Sequence, residues 1–103
     1  MDTISLEELH KLYSNHSGVI IDVRDKDEFA NGHIPGSINI PHSQLKERLA
    51  EIPQEKPLYV ICEKGGRSIG AATVLSLNKI SASCVLPGGV FNWKEKGFPI
   101  ARV

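Results

Sequence analysis

The chain has 103 residues, of which 41% are hydrophobic and 23% charged, a composition typical of folded globular proteins and not of disordered chains. Its 12 basic and 12 acidic side chains give a formal net charge of zero, which argues against a nucleic-acid-binding protein and against attraction to an anionic membrane surface. No apolar run reaches the roughly 18–20 residues that a membrane-spanning helix needs.

We expect residues 1–103 to form one domain, of a size that builds a hydrophobic core without metal ions or disulfides. The N-terminal stretch MDTISLEELH has neither the basic region nor the apolar core of a signal peptide. A cytoplasmic location is therefore expected. In that reducing compartment, Cys62 and Cys84 are expected to be thiols rather than a disulfide.

Segments with strand and helix patterns alternate along the chain. Ser5 is expected to cap the first helix, because its spacing from Glu8 fits a capping box, in which each side chain binds the other residue's backbone N–H group. The predicted strands lie at Ile4 and at residues 18–24, 37–41, 57–62 and 81–86. The predicted helices follow Ser5, span 25–30, begin at Ser43, and span 68–77 and 90–96. This alternation predicts an open α/β fold, with a mainly parallel five-stranded sheet and helices on both faces.

The ligand site of such a fold lies beyond the carboxyl ends of its strands. Cys62 ends one predicted strand, and Asp22 to Arg24 end another. Asp22 is expected either to orient the site, by bonding the loop after Cys62 or by pairing with Arg67 or Arg24, or to meet solvent or cap the next helix. Arg24 could line the mouth of the site, but a structural ion pair is the favoured interpretation.

The stretch CEKGGRS (62–68) joins a predicted strand to a predicted helix. Gly65 and Gly66 accept left-handed backbone angles, so the loop can point several N–H groups inward. Together with the positive end of a helix beginning at Ser68, such a loop forms a nest for negative charge. With Cys62 as its first residue, the nest would stabilise a thiolate.

Charged side chains reinforce this interpretation of the loop. Lys64 and Arg67 add positive charge beside Cys62, against one carboxylate at Glu63. A buried, inert cysteine on a glycine-rich turn is the plain alternative, but it explains neither the arginine nor the paired glycines. The pattern also fits phosphate-binding cysteine enzymes.

Three stretches, in this order, resemble the signatures of the rhodanese family. IIDVRDKDEFANGHIPGSINIP (20–41) resembles the first signature, with Asp-Val-Arg, Glu-Phe, Gly-His-Ile-Pro-Gly and Asn-Ile-Pro in sequence. CEKGGRS fits the Cys-x-x-Gly-x-Arg-Ser active-site loop, and PGGVFNWKEKGFPI (87–100) resembles the C-terminal signature of Gly-Gly, Trp and Gly-Phe-Pro. The one small departure in the first signature is Ser37, where alanine is more usual.

The resemblance implies a sulfurtransferase that carries sulfane sulfur as a persulfide on Cys62. The donor would be thiosulfate, a persulfide or a polysulfide, and the acceptor cyanide in assays or a thiol in the cell, through two displacement steps. The implied partners are these small molecules and a sulfur-carrier or thioredoxin-like protein. No metal and no organic cofactor is implied, because the intermediate is covalent.

Two other functions remain open at this point. Cysteine phosphatases and arsenate reductases have five residues between cysteine and arginine, whereas four separate Cys62 from Arg67 here. The shorter loop favours sulfur transfer over reaction with a tetrahedral oxyanion. A catalytically idle interaction module is the other alternative, disfavoured because both Cys62 and Arg67 are present.

The remaining candidate residues are expected to be structural. His33 could form a dyad with Cys62, but a structural role is favoured, and the other histidines show no metal-ligand spacing. Cys84 is expected to be a small buried hydrophobe, with a resolving cysteine as the alternative. Trp93, Phe91 and Phe98 are expected to pack the last helix against the core.

Overall fold

The five predicted strands form one parallel sheet in the computed structural model, which describes residues 2–103. The strands are β1 (Thr3–Ile4), β2 (Val19–Asp22), β3 (Ile38–Asn39), β4 (Leu58–Ile61) and β5 (Ser83–Val85). The strand order is β1-β5-β4-β2-β3, and each paired neighbour runs parallel. The predicted fold class is therefore confirmed.

Four α-helices connect or follow the strands. They are α1 (Leu6–Ser14), α2 (Lys26–Ala30), α3 (Gly66–Leu77) and α4 (Val90–Glu95). The capping box of α1 is present as predicted, since Ser5 Oγ accepts from Glu8 N at 3.1 Å and Glu8 Oε1 accepts from Ser5 N at 3.2 Å. Within residues 2–103, no helix is long and apolar enough to cross a membrane.

The prediction of an α-helix beginning at Ser43 is wrong. Two 3₁₀ helices, His42–Glu47 and Leu49–Glu51, occupy that segment. Arg48 separates them, because its backbone leaves the helical region at φ −117° and ψ 21°. The apolar side chains still reach the core, so their burial determines the path while the backbone takes tighter turns.

The two faces of the sheet are each covered by helices. Side chains alternate along β2 and β4, so neighbouring residues enter opposite halves of the core. The half beneath α3 and the 3₁₀ helices includes Ile21, Val60, Ala71, Leu75 and Leu45. The half beneath α1 and α4 includes Ile20, Ile61, Leu9, Val90 and Trp93. Burial on both faces explains why the central strands are almost continuously apolar.

The order in which strands are added to the sheet reverses between β2 and β4. From β2 it goes outward to β3 on one side, and from β4 outward to β5 on the other. Asp22 pairs with Ile61 in the register, and Val23 N donates to Ile61 O at 3.0 Å. The carboxyl ends of these two strands therefore open a crevice at a topological switch point, where ligands bind in such folds.

The C-terminal aromatic residues confirm the expected packing in two cases out of three. Trp93 is fully buried and donates from Nε1 to Pro99 O at 2.7 Å, and Phe98 contacts its ring edge-on at a centroid distance of 4.9 Å. Phe91 does not pack on the core, since 41% of it is exposed. Its position in the first turn of α4 points it to the surface beside Lys64.

Gly70 offers a test of the helix α3. A Cβ there would meet no atom within 4 Å, and alanine costs less conformational entropy than glycine in a helix interior. Gly70→Ala should raise the free energy of unfolding by about 0.5–1 kcal/mol, measured by urea denaturation. Gly36→Ala is the matched control: its Cβ is equally unobstructed, but φ is +84°, so it should destabilise by about 1–2 kcal/mol. A loss of stability in Gly70→Ala would contradict this account of α3.

Candidate active site

Cys62 follows the last residue of β4 and lies at the floor of the crevice. Its side chain is buried, with 1% exposed. The Sγ atom accepts a hydrogen bond from Gly65 N at 3.1 Å, so the loop folds back onto the sulfur. Gly65 has φ +111°, and a Cβ there would also lie 2.8 Å from Leu86 Cδ2. The loop therefore needs glycine at this position both for its backbone angle and for space.

The helix behind the sulfur begins two residues earlier than predicted. Gly66 is its first residue, and Gly65 occupies the N-cap position. Ser68 does not cap the helix, because its Oγ donates to Gly65 O at 3.1 Å instead of accepting from a helix amide. This bond secures the turn from inside the first helical turn. The positive end of α3 is consequently adjacent to Cys62, where it favours negative charge.

The outer side of the loop is held by α4. Val90 N donates to Cys62 O at 2.9 Å, and Phe91 N donates to Glu63 O at 3.1 Å. Gly89 makes this approach possible, because a Cβ there would clash with Cys62 O and lie 2.6 Å from Glu63 O. The sequence interpretation did not assign Gly89 to the site. The Gly-Gly pair of the C-terminal signature was the available signal.

A buried ion-pair network joins β2 to the loop. Arg24, 1% exposed, donates to both carboxylate oxygens of Asp22, with Nη2 2.9 Å from Oδ2, and to Gly32 O at 2.8 Å. Its Nη1 donates to Glu63 Oε1 at 3.1 Å. Burial opposes the guanidinium charge, but the hydrogen bonds and charges of Asp22 and Glu63 outweigh it and raise the pKa of Arg24. Of the alternatives for Asp22 and Arg24, the structure places both in an ion pair.

Arg67 is engaged by a residue that the sequence interpretation did not select. Its two terminal nitrogens donate to the two carboxylate oxygens of Glu28, at 2.7 and 2.9 Å. The bond from Arg67, opposed by burial, lowers the pKa of Glu28 from 4.5 to about 2, and Glu28 in turn raises the pKa of Arg67. Glu28 belongs to the Glu-Phe of the first signature, which was the signal that could have identified it.

Lys64 points away from these pairs. Its Nζ lies 4.9 Å from the centroid of the Phe91 ring, a cation–π contact at the surface. Within residues 2–103, no carboxylate is in ion-pair contact with it. The loop thus presents one cation that is not neutralised by a carboxylate, and that cation lies at its rim.

His33 lies in a structural environment. Its Nδ1 is 2.7 Å from Phe29 O, and its ring stacks on Phe29 at a centroid distance of 3.7 Å. The backbone of His33 pairs with Ala101 in an isolated antiparallel bridge. These contacts account for both the ring and the backbone without Cys62.

Cys84 is fully buried in β5, as expected for a small hydrophobe. Its Sγ donates to Ser68 O at 3.2 Å, and burial raises the pKa of the thiol. Neither cysteine of the described chain is in a disulfide. Among the described residues, no group of three or more metal-ligating side chains could hold a metal ion.

Comparisons with known proteins identify similar sequences and a similar fold. The family model of the rhodanese-like domain matches residues 5–96. The uncharacterized protein YqhL of Bacillus subtilis is 42% identical over 96 residues, covering 93% of this chain and 75% of that protein. The thiosulfate sulfurtransferase GlpE of Stutzerimonas stutzeri is 36% identical over 89 residues, covering 86% and 81%. A rhodanese-related protein from Thermoplasma volcanium has a crystal structure similar to this one, with a TM-score of 0.89, 33% identity and 98% coverage of each chain.

The close approach at Gly89 gives a test of how the loop is held. Gly89→Ala forces a methyl group against two backbone carbonyls of the loop, and should lower the free energy of unfolding by about 1–3 kcal/mol. Gly66→Ala is the control from the same site, because a Cβ there meets no atom within 4 Å. Urea denaturation of both variants provides the measurement. Equal stability of the two variants would contradict the described contact between α4 and the loop.

The depressed pKa of Glu28 gives a pH test. A folded-state pKa of about 2, below the ordinary 4.5, means that the Arg67 pair stabilises the fold above pH 4.5 and that this contribution is lost as the pH falls toward 2. Wild type should therefore lose more stability over this interval than Glu28→Gln. Urea denaturation at several pH values measures both slopes. Parallel curves for the two proteins would show that the pair does not form in solution.

Proposed function

Because this chain belongs to the rhodanese-like domain family, with thiosulfate sulfurtransferases among its relatives, we propose that it is a sulfurtransferase that carries sulfane sulfur on Cys62. In the first step the Cys62 thiolate attacks the outer sulfur of thiosulfate. The S–S bond of the donor breaks, its electron pair leaves with sulfite, and Cys62 becomes a persulfide anion. In the second step cyanide or an acceptor thiolate attacks the outer sulfur, and the Cys62 thiolate is regenerated.

The position of the Cys62 sulfur carries this proposal. The Sγ atom is buried, accepts from Gly65 N at 3.1 Å, and faces the N-terminal end of α3. Backbone donors of this kind stabilise an anion without supplying a proton. They serve the thiolate before the first step and the terminal sulfur anion after it. Gly65 supplies the left-handed backbone angle, Gly66 begins α3, and Ser68 fixes the turn by its bond to Gly65 O.

The charged loop residues would receive the donor. Arg67 is one-third exposed beside Cys62, and each of its terminal nitrogens retains an N–H group beyond the one bonded to Glu28. Lys64 adds a cation at the rim. We assign Asp22 and Arg24 a supporting role, because they hold Glu63, the neighbour of Cys62, through a buried guanidinium.

We propose the sulfur donor and the sulfur acceptor as chemical classes. Thiosulfate, a persulfide or a polysulfide would supply the sulfur, and a thiol, including that of a sulfur-carrier or thioredoxin-like protein, would remove it. The chemistry needs no metal and no organic cofactor, since both steps are displacements at sulfur. A reducing compartment such as the cytoplasm suits a cysteine that must return to its thiolate after each cycle.

Intact mass spectrometry tests the carrier cycle. Wild type treated with thiosulfate should gain the mass of one sulfur atom, mapped to Cys62, and lose it on addition of cyanide. Cys62→Ser should gain nothing, whereas Cys84→Ala, which removes the other thiol, should gain the sulfur as wild type does. Persulfide formation in Cys62→Ser would contradict the proposal. Absence of any gain in reduced wild type with thiosulfate, persulfide and polysulfide would favour a catalytically idle binding module.

A further inference from the structure

Each arginine at the site is already bound to a carboxylate. Arg24 lies between Asp22 and Glu63, and Arg67 donates to both oxygens of Glu28. The Glu28 pair is formed by two side chains that are each about one-third exposed, with N–O distances of 2.7 and 2.9 Å. The Glu28 carboxylate thus already occupies Arg67, the cation that an anionic donor would otherwise bind.

Lys64 and the ion-paired side chains around Cys62, together called the frame, carry no net charge. Three carboxylates and two arginines form the ion pairs, and Lys64 is the third cation. Two further groups of opposite sign lie next to the frame: Asp25, whose charge acts on Arg67, and Lys94, whose Nζ lies beside Gly32. Counted over side chains, the Cys62 thiolate therefore makes the reacting site negative, and a dianionic donor meets no excess of cationic side chains.

We propose that Glu28 is a specificity-determining residue, which occupies Arg67 and so selects against dianionic donors such as thiosulfate and in favour of donors with a single negative charge. This inference rests on the sulfurtransferase function proposed above. The donors it favours have the chemistry of thiosulfonates and alkyl persulfides, in which a carbon group replaces one charged end of the donor.

A matched pair of donors isolates the charge. Thiosulfate and methanethiosulfonate contain the same kind of reacting S–S bond, but the first is a dianion and the second a monoanion. With methanethiosulfonate, the Cys62 thiolate attacks the outer sulfur, the S–S bond breaks, and methanesulfinate leaves with the electron pair. The product on Cys62 is the same persulfide anion, so cyanide completes both assays in the same way.

The decisive measurement is the ratio of kcat/KM for thiosulfate to kcat/KM for methanethiosulfonate. In Glu28→Gln this ratio should rise about three- to tenfold, as expected for one unit charge acting over about 5–6 Å at a dielectric constant between those of a protein surface and water. Comparing this ratio in Glu28→Gln with that in wild type cancels the intrinsic reactivity of each donor. A merely structural loosening of the loop would change both donors equally and leave the ratio unchanged.

The chain provides a control for the substitution. Glu51, the last residue of the second 3₁₀ helix, forms a carboxylate–guanidinium ion pair with Arg48 outside the site network. Glu51→Gln should leave the ratio as in wild type. Glutamine at position 28 retains an oxygen that can accept from Asp25 N, as Glu28 Oε1 does at 3.1 Å, so the start of α2 is preserved.

A second measurement needs no variant. In wild type, raising the salt concentration from about 20 to about 500 mM should raise the same ratio, because screening weakens the repulsion of the dianion more than that of the monoanion. A fall in the ratio with salt would show a net attractive, cationic site and overturn the inference.

The outcomes separate this inference from the function on which it rests. If both donors place sulfur on Cys62 and the ratio is unchanged in Glu28→Gln, the selectivity role of Glu28 is overturned while the sulfurtransferase function stands. If neither donor places sulfur on Cys62 of the wild type, the proposed function is overturned, and this inference with it. A rise in the ratio, in the variant and with salt, supports both.

Discussion

The buried guanidinium of Arg24 is the interaction on which the geometry of the site depends. It is 1% exposed and lies where the end of β2 meets the loop after β4. A buried cation is tolerated only with partners, and Asp22, Glu63 and Gly32 O together satisfy it. Because Glu63 follows Cys62 directly, fixing the Glu63 side chain also restrains the backbone beside the sulfur. The register between β2 and β4 is thereby linked to the position of the proposed nucleophile.

Backbone groups of the loop after β4 face two helices, with carbonyls directed to α4 and an amide beside the start of α3. The carbonyls of Cys62 and Glu63 accept from the first amides of α4. Because a trans peptide unit points its N–H opposite to its C=O, this arrangement turns the following N–H groups away from α4. Gly65 N supplies the contact to the sulfur from the side of α3. The result is a loop with its acceptors outside and its donors inside, which suits a site that must hold an anion.

Local patterns predicted the elements of this fold better than the contacts between them. The cap of α1 at Ser5 and the parallel order of the strands follow from spacing and alternation over a few residues. The apolar spacing of Leu45, Leu49 and Ile52 predicts an α-helix beginning at Ser43, whereas packing selects the tighter turns of two 3₁₀ helices. The Glu28–Arg67 pair joins residues 39 positions apart, and no local pattern encodes it. Gly89 was not predicted as a site residue for the same reason, since its close approach to the loop exists only after α4 has docked.

The dependence of the loop on α4 has a consequence for biosynthesis. A ribosome releases Cys62 before it releases Val90 and Phe91, whose amides donate to the carbonyls of Cys62 and Glu63. Until then the sheet can begin to pair through β2 and β4, but the turn around the sulfur lacks the two amide donors that α4 supplies. In the nascent chain, Cys62 is therefore present before the loop around its sulfur is complete. Anion-binding geometry at Cys62 is complete only after α4 has been synthesised and has docked on the loop.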